Sequence, residues 1–109
     1  MNIIRFSHNW NHKLNKSIFT TIRKYDYKKW NYYKAQEGSP FKVMLNDTDV
    51  GDAKLLDAEY TVLKQLPIGL ICTDTGMNQE EAFSLFKKFG IDKQDQVIIL
   101  TFRRTASEK

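Results

Sequence analysis

Apolar positions recur in short runs between polar turns, and the period of each run assigns an element. Ile3 to Phe6 reads as a short first strand. Asn9 to Lys16 carries Trp10 and Leu14 at i, i+4, the spacing of a short helix. Phe19 to Lys24 is rich in β formers and reads as a second strand. Its alternation places Phe19, Thr21 and Arg23 on one face and Thr20 and Ile22 on the other. Tyr25 to Tyr33 fits either a loop or an irregular helix with Trp30 and Tyr33 at i, i+3. The breaker cluster Gln36 to Pro40 feeds a strand over Phe41 to Asn46, a turn over Asp47 to Gly51 and a returning strand over Lys54 to Leu63.

Leu66 to Ile71 predicts a short helical turn starting at Pro67. Asn78 to Phe89 is the best-marked helix: Asn78 caps it, Glu81 completes a capping box, and Ala82, Leu85, Phe86 and Phe89 form its apolar stripe. Glu80 and Glu81 face the positive end of the helix dipole, and Lys87 and Lys88 the negative end. Gly90 closes it, and Gln96 to Phe102 reads as a final, largely buried strand. Strands dominate and one amphipathic helix packs outside, so the pattern predicts an α+β fold, a small mixed β-barrel with flanking helices, over residues 1–104 with a tail over 105–109. Too few strand–helix alternations exist for a doubly wound sheet.

Composition narrows the class. At 109 residues with 41% hydrophobic and 28% charged, the chain suits one domain with one modest core. Cys72 is its single cysteine, which excludes an intramolecular disulfide and a cysteine-built zinc site. It reads as a buried, inert thiol. No apolar run reaches the roughly 18 residues of a membrane helix, and Met1 to Phe6 is too short for a signal sequence, so no membrane partner and a cytoplasmic location are expected.

Charge adds more by position than in total. Residues 1–34 hold eight basic groups against the single acid Asp26, a net +7 within a chain of net +4. The same segment holds eight of the fourteen aromatic residues. Interleaved cations and rings suit single-stranded nucleic acid, where cations neutralise phosphates and bases stack on rings at roughly 1–3 kcal/mol each. The candidate binding residues are Lys16, Thr21, Arg23, Lys24, Tyr25, Lys28, Lys29 and Trp30. The competing assignment puts Trp10, Phe19 and Trp30 in the core and leaves the lysines as solvated charge.

Other constellations carry less. Thr73-Asp74-Thr75-Gly76 offers one carboxylate, either as a turn between two helices or as a partner for Arg23. His8 and His12 stand four apart but lack a third ligand at a standard spacing, so no metal and no cofactor is expected.

The order of these segments resembles a known family. Asn9 to Leu14 followed by Phe19-Thr20-Thr21-Ile22-Arg23 is similar to the N-terminal helix and Thr-x-Arg strand of ASCH domains. Tyr32-Tyr33-Lys34 and Gly38, then Phe41-Lys42-Val43, resemble the turn and strand that follow. Leu66 to Gly76 and Asn78 to Phe89 resemble the helical segment, and Val97 to Arg103 the closing strand. The resemblance implies a PUA-like β-barrel with a cleft between barrel and helices, and RNA as the partner. Some members are amidohydrolases that remove the acetyl group from acetylcytidine with a Thr nucleophile, a Lys three residues before it and a later Glu. Here the nucleophile position falls on Thr21, the lysine position on Ile18 with Lys16 nearby, and the acid position near Thr75 with Asp74 one residue away. The expected function is RNA binding in a basic, aromatic cleft. The alternatives are an amidohydrolase acting on modified nucleosides through Thr21, Lys16 and Asp74, and a protein-interaction accessory domain. The oligomeric state is left open.

Overall fold

The structure is a computed structural model that describes residues 2–105, without the side chains of residues 10–12. The expectations for Trp10, for His12 and for the tail beyond Thr105 therefore lie outside the described residues. Five strands form one mixed sheet: β1 (Asn2–Phe6), β2 (Ile18–Lys24), β3 (Pro40–Leu45), β4 (Thr48–Val62) and β5 (Gln96–Arg104). Their order is β1-β3-β4-β5-β2, with β1 and β3 parallel and every other pair antiparallel. Three α-helices complete the fold: α1 (Tyr27–Ala35), α2 (Ile68–Thr75) and α3 (Gln79–Lys88). A 3-10 helix, Trp10–Asn15, joins the two edge strands β1 and β2.

The sheet is strongly curled. Four strand spacings of about 4.8 Å would hold the edge strands about 19 Å apart in a flat sheet. Instead Arg23 Nη2 on β2 donates to the Arg5 carbonyl on β1 at 2.9 Å, and the Phe6 and Phe19 rings lie 6.1 Å apart. No backbone pairing between β1 and β2 closes the sheet among the described residues, so it is an open α+β architecture with its two edges brought face to face.

Strand alternation divides the core in two. Ile4, Phe19, Phe41, Val43, Leu55, Ile98, Leu100 and Phe102 fill the concave face, and α1 packs Trp30 and Tyr33 against them. On the convex face, Ile22, Val97 and Ile99 meet Ile71 of α2 and Ala82 and Phe86 of α3. The capping box of α3 is present: Asn78 Oδ1 accepts from Glu81 N at 2.9 Å, and Glu81 Oε1 accepts from Asn78 N at 3.2 Å. Asn78→Ala is expected to lower stability by about 1 kcal/mol in urea unfolding.

Several elements differ from the pattern reading. Tyr25 to Tyr33 resolves into a regular α1 shifted to Tyr27–Ala35, with Asp26 accepting from Lys29 N at its N-cap. The hairpin turn is Asn46-Asp47 alone, because Asn46 accepts a left-handed φ of 57°. The returning strand therefore starts at Thr48, and a register shift between Leu55 and Asp57 breaks its alternation. The helical turn at Pro67 runs on to Thr75, where Gly76 ends it with a φ of 74°. Cys72 is half-buried, less enclosed than expected, because the buried face of α2 runs through Ile71, Asp74 and Thr75 and Cys72 lies at its side. Among the described residues no helix is long and apolar enough to cross a membrane.

Candidate nucleotide cleft

Between the facing edges of β1 and β2, and under α2 and α3, lies a cavity of about 250 Å3. Arg5, Phe6, Ser7 and His8 line it from β1 and the loop that follows; Thr21, Ile22, Arg23 and Lys24 from β2; Lys13 and Asp74 from below; and Phe86, Phe89 and Ile91 from the side of α3. Two arginines and two lysines thus face one carboxylate across a small apolar-walled space.

The floor is set by how the 3-10 helix is pinned. Asn9 Oδ1 accepts from Leu14 N at 2.9 Å, and Arg104 donates to the Leu14 carbonyl through Nε at 2.8 Å and through Nη2. Leu14 is buried beneath it, which turns the neighbouring Lys13 toward α2. Lys13 Nζ meets Asp74 Oδ1 at 3.0 Å, and Thr20 Oγ1 donates to the same oxygen at 2.9 Å. Both charged side chains are almost wholly enclosed, at 4% and 1% exposure. Asp74 sits in the last turn of a helix, where the dipole disfavours a negative charge, so the ammonium and the hydroxyl offset a real cost.

Burial draws the Lys13 amine below the ordinary lysine value; the charge and hydrogen bond of Asp74 oppose that shift, and Arg23 adds to it. Exposed Lys42 moves the opposite way, because Asp49 Oδ2 accepts its ammonium at 2.7 Å. Between the folded Lys13 value and its higher unfolded value the unfolded chain holds more protons, so stability rises with pH across that window. In a titration of methylated lysines by NMR, Lys13 is expected to lose its proton before Lys42. The reverse order would contradict the burial argument.

Thr21 and Arg23 share the concave face, as alternation requires. Thr21 is buried, and its Oγ1 accepts from Arg23 Nε at 3.2 Å. The Arg23 guanidinium stands 4.9 Å from the Phe6 ring centre and bridges to Arg5. It pairs with Thr21 and a carbonyl rather than with Asp74, which is engaged by Lys13 and Thr20. Lys24 Nζ donates to the Gly90 carbonyl at 2.9 Å, tying the rim of the cleft to the end of α3.

Of the residues expected to bind nucleic acid, Thr21, Arg23 and Lys24 line the cleft, together with Asp74. Lys16, Tyr25, Lys28, Lys29 and Trp30 do not line it. Lys16 is exposed beyond the 3-10 helix, so the lysine that meets Asp74 is Lys13, three residues earlier. Tyr25 and Trp30 pack on Tyr60 of β4, with ring centres 5.4 and 4.9 Å apart. Lys28 and Lys29 are exposed on α1, and Tyr27 is 70% exposed there. The pattern reading missed Arg5, Lys13, Thr20 and the α3 wall. A lone Asp74 behind the apolar run Ile71-Cys72 was a signal that some cation must reach it; which lysine does so depends on the 3-10 turn.

Compared with known proteins, the chain matches no family model, no curated sequence and no solved structure.

Proposed function

We propose that the protein is an ASCH-type RNA-binding domain, with its curled sheet in the role of the PUA-like barrel, and that the cleft takes one unpaired nucleotide. The observation that carries this reading is the convergence of Arg5, Lys13, Arg23 and Lys24 on one cavity of about 250 Å3 that contains a single carboxylate. Such a charge balance favours an anion. The volume suits one small ligand, and the walls formed by Phe86, Phe89 and Ile91 suit a planar apolar face. Arg23 supplies a guanidinium fork of the kind that fits phosphate oxygens. The exposed lysines of α1 extend the positive charge along the chain but are not needed for the cleft itself.

The test is a binding titration with a short single-stranded RNA at several salt concentrations. Affinity is expected to fall with salt at a slope of about −0.7 for each phosphate neutralised. Affinity independent of salt would remove the reading.

A second reading has its own support. Thr21 lines the same cavity as the buried Lys13–Asp74 pair, whose lysine replaces the expected Lys16. A threonine nucleophile needs a base to accept its proton, and an amine of lowered pKa suits that role. This arrangement would serve an amidohydrolase acting on acetylcytidine-like nucleosides. Acetate release abolished by Thr21→Val would favour it; absence of release from acetylcytidine would leave the binding role alone.

A further inference from the structure

β2 is an edge strand, and which of its peptide groups remain unpaired follows from two hydrogen bonds. The β2–β5 register is unbroken from Ile18↔Arg103 to Lys24↔Val97. Just beyond its ends, Arg104 N donates to the Ser17 carbonyl at 2.7 Å and Tyr25 N donates to the Gln96 carbonyl at 3.0 Å. Residues 17 and 25 thus direct their peptide groups toward β5. Antiparallel pairing alternates strictly, so residues 19, 21 and 23 do the same, whereas Thr20, Ile22 and Lys24 direct theirs away from the sheet.

The cavity lies on that free side. Thr21 and Arg23 belong to the concave face and Ile22 and Lys24 to the convex face, yet all four line the same space. A cavity touched by both faces of a strand straddles its edge. Ile22 is at the middle of the lining stretch, so its N–H and C=O form an adjacent donor and acceptor in the cleft wall.

We infer that the backbone of Ile22 reads the Watson–Crick edge of an unpaired nucleobase. Every base presents a neighbouring donor and acceptor on that edge, and one extended residue offers the complementary pair. Arg23 and Lys24 would then hold the phosphate while Phe89, 52% exposed, and Ile91 cover a ring face. The inference rests on the nucleotide-binding reading above and specifies how the base is held. An added peptide strand would use the same peptide groups, but it needs a long open edge. Here the Arg23 side chain crosses from β2 to Arg5 beside Ile22, and the helices shorten the space to a pocket.

The experiment compares uridine 5′-monophosphate, its N3-methyl derivative and ribose 5-phosphate by calorimetry, with amide NMR on the full chain. The unmodified nucleotide is expected to bind at least tenfold more tightly than the methylated one, since the methyl group removes the donor that meets the Ile22 carbonyl. The Ile22 amide is expected to shift and to exchange more slowly with uridine 5′-monophosphate and not with ribose 5-phosphate. Ile22→Pro removes the outward N–H, which an edge strand tolerates, together with the apolar side chain packed against α2 and α3, and keeps the carbonyl; it is expected to weaken uridine 5′-monophosphate binding while retaining the preference for the unmethylated base. Should that variant unfold, amide exchange in the unaltered protein decides the matter. Equal binding of both nucleotides with an unmoved Ile22 amide would overturn the inference and leave phosphate binding intact. Protection of Thr20, Ile22 and Lys24 by an Asp-Thr repeat peptide, without response to the nucleotide, would also overturn it. No binding of the nucleotides or of single-stranded RNA would overturn the parent reading as well.

Discussion

Asp74→Ala is expected to lower unfolding free energy by about 3–5 kcal/mol, the range for breaking a buried ion pair on one side. The substitution leaves the enclosed Lys13 ammonium and the Thr20 hydroxyl without their shared acceptor. Replacing the whole set has a different outcome. The triple variant Lys13→Met, Thr20→Val, Asp74→Leu is expected to be at least as stable as the parent protein, because a well-packed apolar set removes the desolvation cost of the ions. Urea denaturation of the two variants checks both statements. If the set serves the cleft rather than the fold, the triple variant stays folded but loses ligand binding. Retained binding in the triple variant would reduce Lys13 and Asp74 to packing.

Arg23→Ala carries the second large effect. A hydrogen bond to a charged group is worth about 1.5–3 kcal/mol, so loss of the phosphate contact is expected to weaken RNA binding by roughly 10- to 100-fold. The salt slope should fall by about 0.7 at the same time, one phosphate contact fewer on a single strand. Arg23 also braces Thr21 and the Arg5 carbonyl, so its removal loosens the cleft. Arg23→Lys separates the two roles: it keeps the charge and the salt slope while losing the planar fork. Fluorescence anisotropy at three salt concentrations, for both variants, gives affinity and slope together.

Much of the fold was legible because local signals agreed with each other. In α3 the cap, the capping-box acid and the terminal lysines all point to one helix and are found there; of the stripe Ala82 and Phe86 are buried and Phe83 joins them, whereas Phe89 is the C-cap residue and stands 52% exposed. In β2 strict alternation placed Thr21 and Arg23 on one face before any contact was known. The signal failed where one tertiary contact decides. Helix α1 lacks a continuous apolar stripe, since Tyr27, Tyr32 and the lysines surround it, so its helical form depends on packing against the concave core. The length of β4 was hidden by Gly51 and by the irregularity near Leu56. At the site, Thr21, Arg23, Lys24 and Asp74 were legible as candidates. Lys13 was not, because nothing in its neighbourhood distinguishes it from Lys16. The difference arises from Arg104, ninety residues further along, holding the Leu14 carbonyl and so fixing which way the 3-10 helix turns.

The aromatic density of the first third was legible too, but its use was not. Tyr25 and Trp30 find their partner in Tyr60, an aromatic of the middle strand that no local pattern links to them. Aromatic richness alone therefore did not locate the cleft. The convergence of basic side chains on the gap between two strand edges did.

The most direct test of the central claim is chemical-shift mapping of the labelled protein with a short single-stranded RNA. The account predicts that the perturbed resonances centre on Thr21, Ile22, Arg23, Lys24 and Ile91 around the cleft. Perturbation confined to α1, or none at RNA concentrations that saturate other single-strand binders, would contradict it.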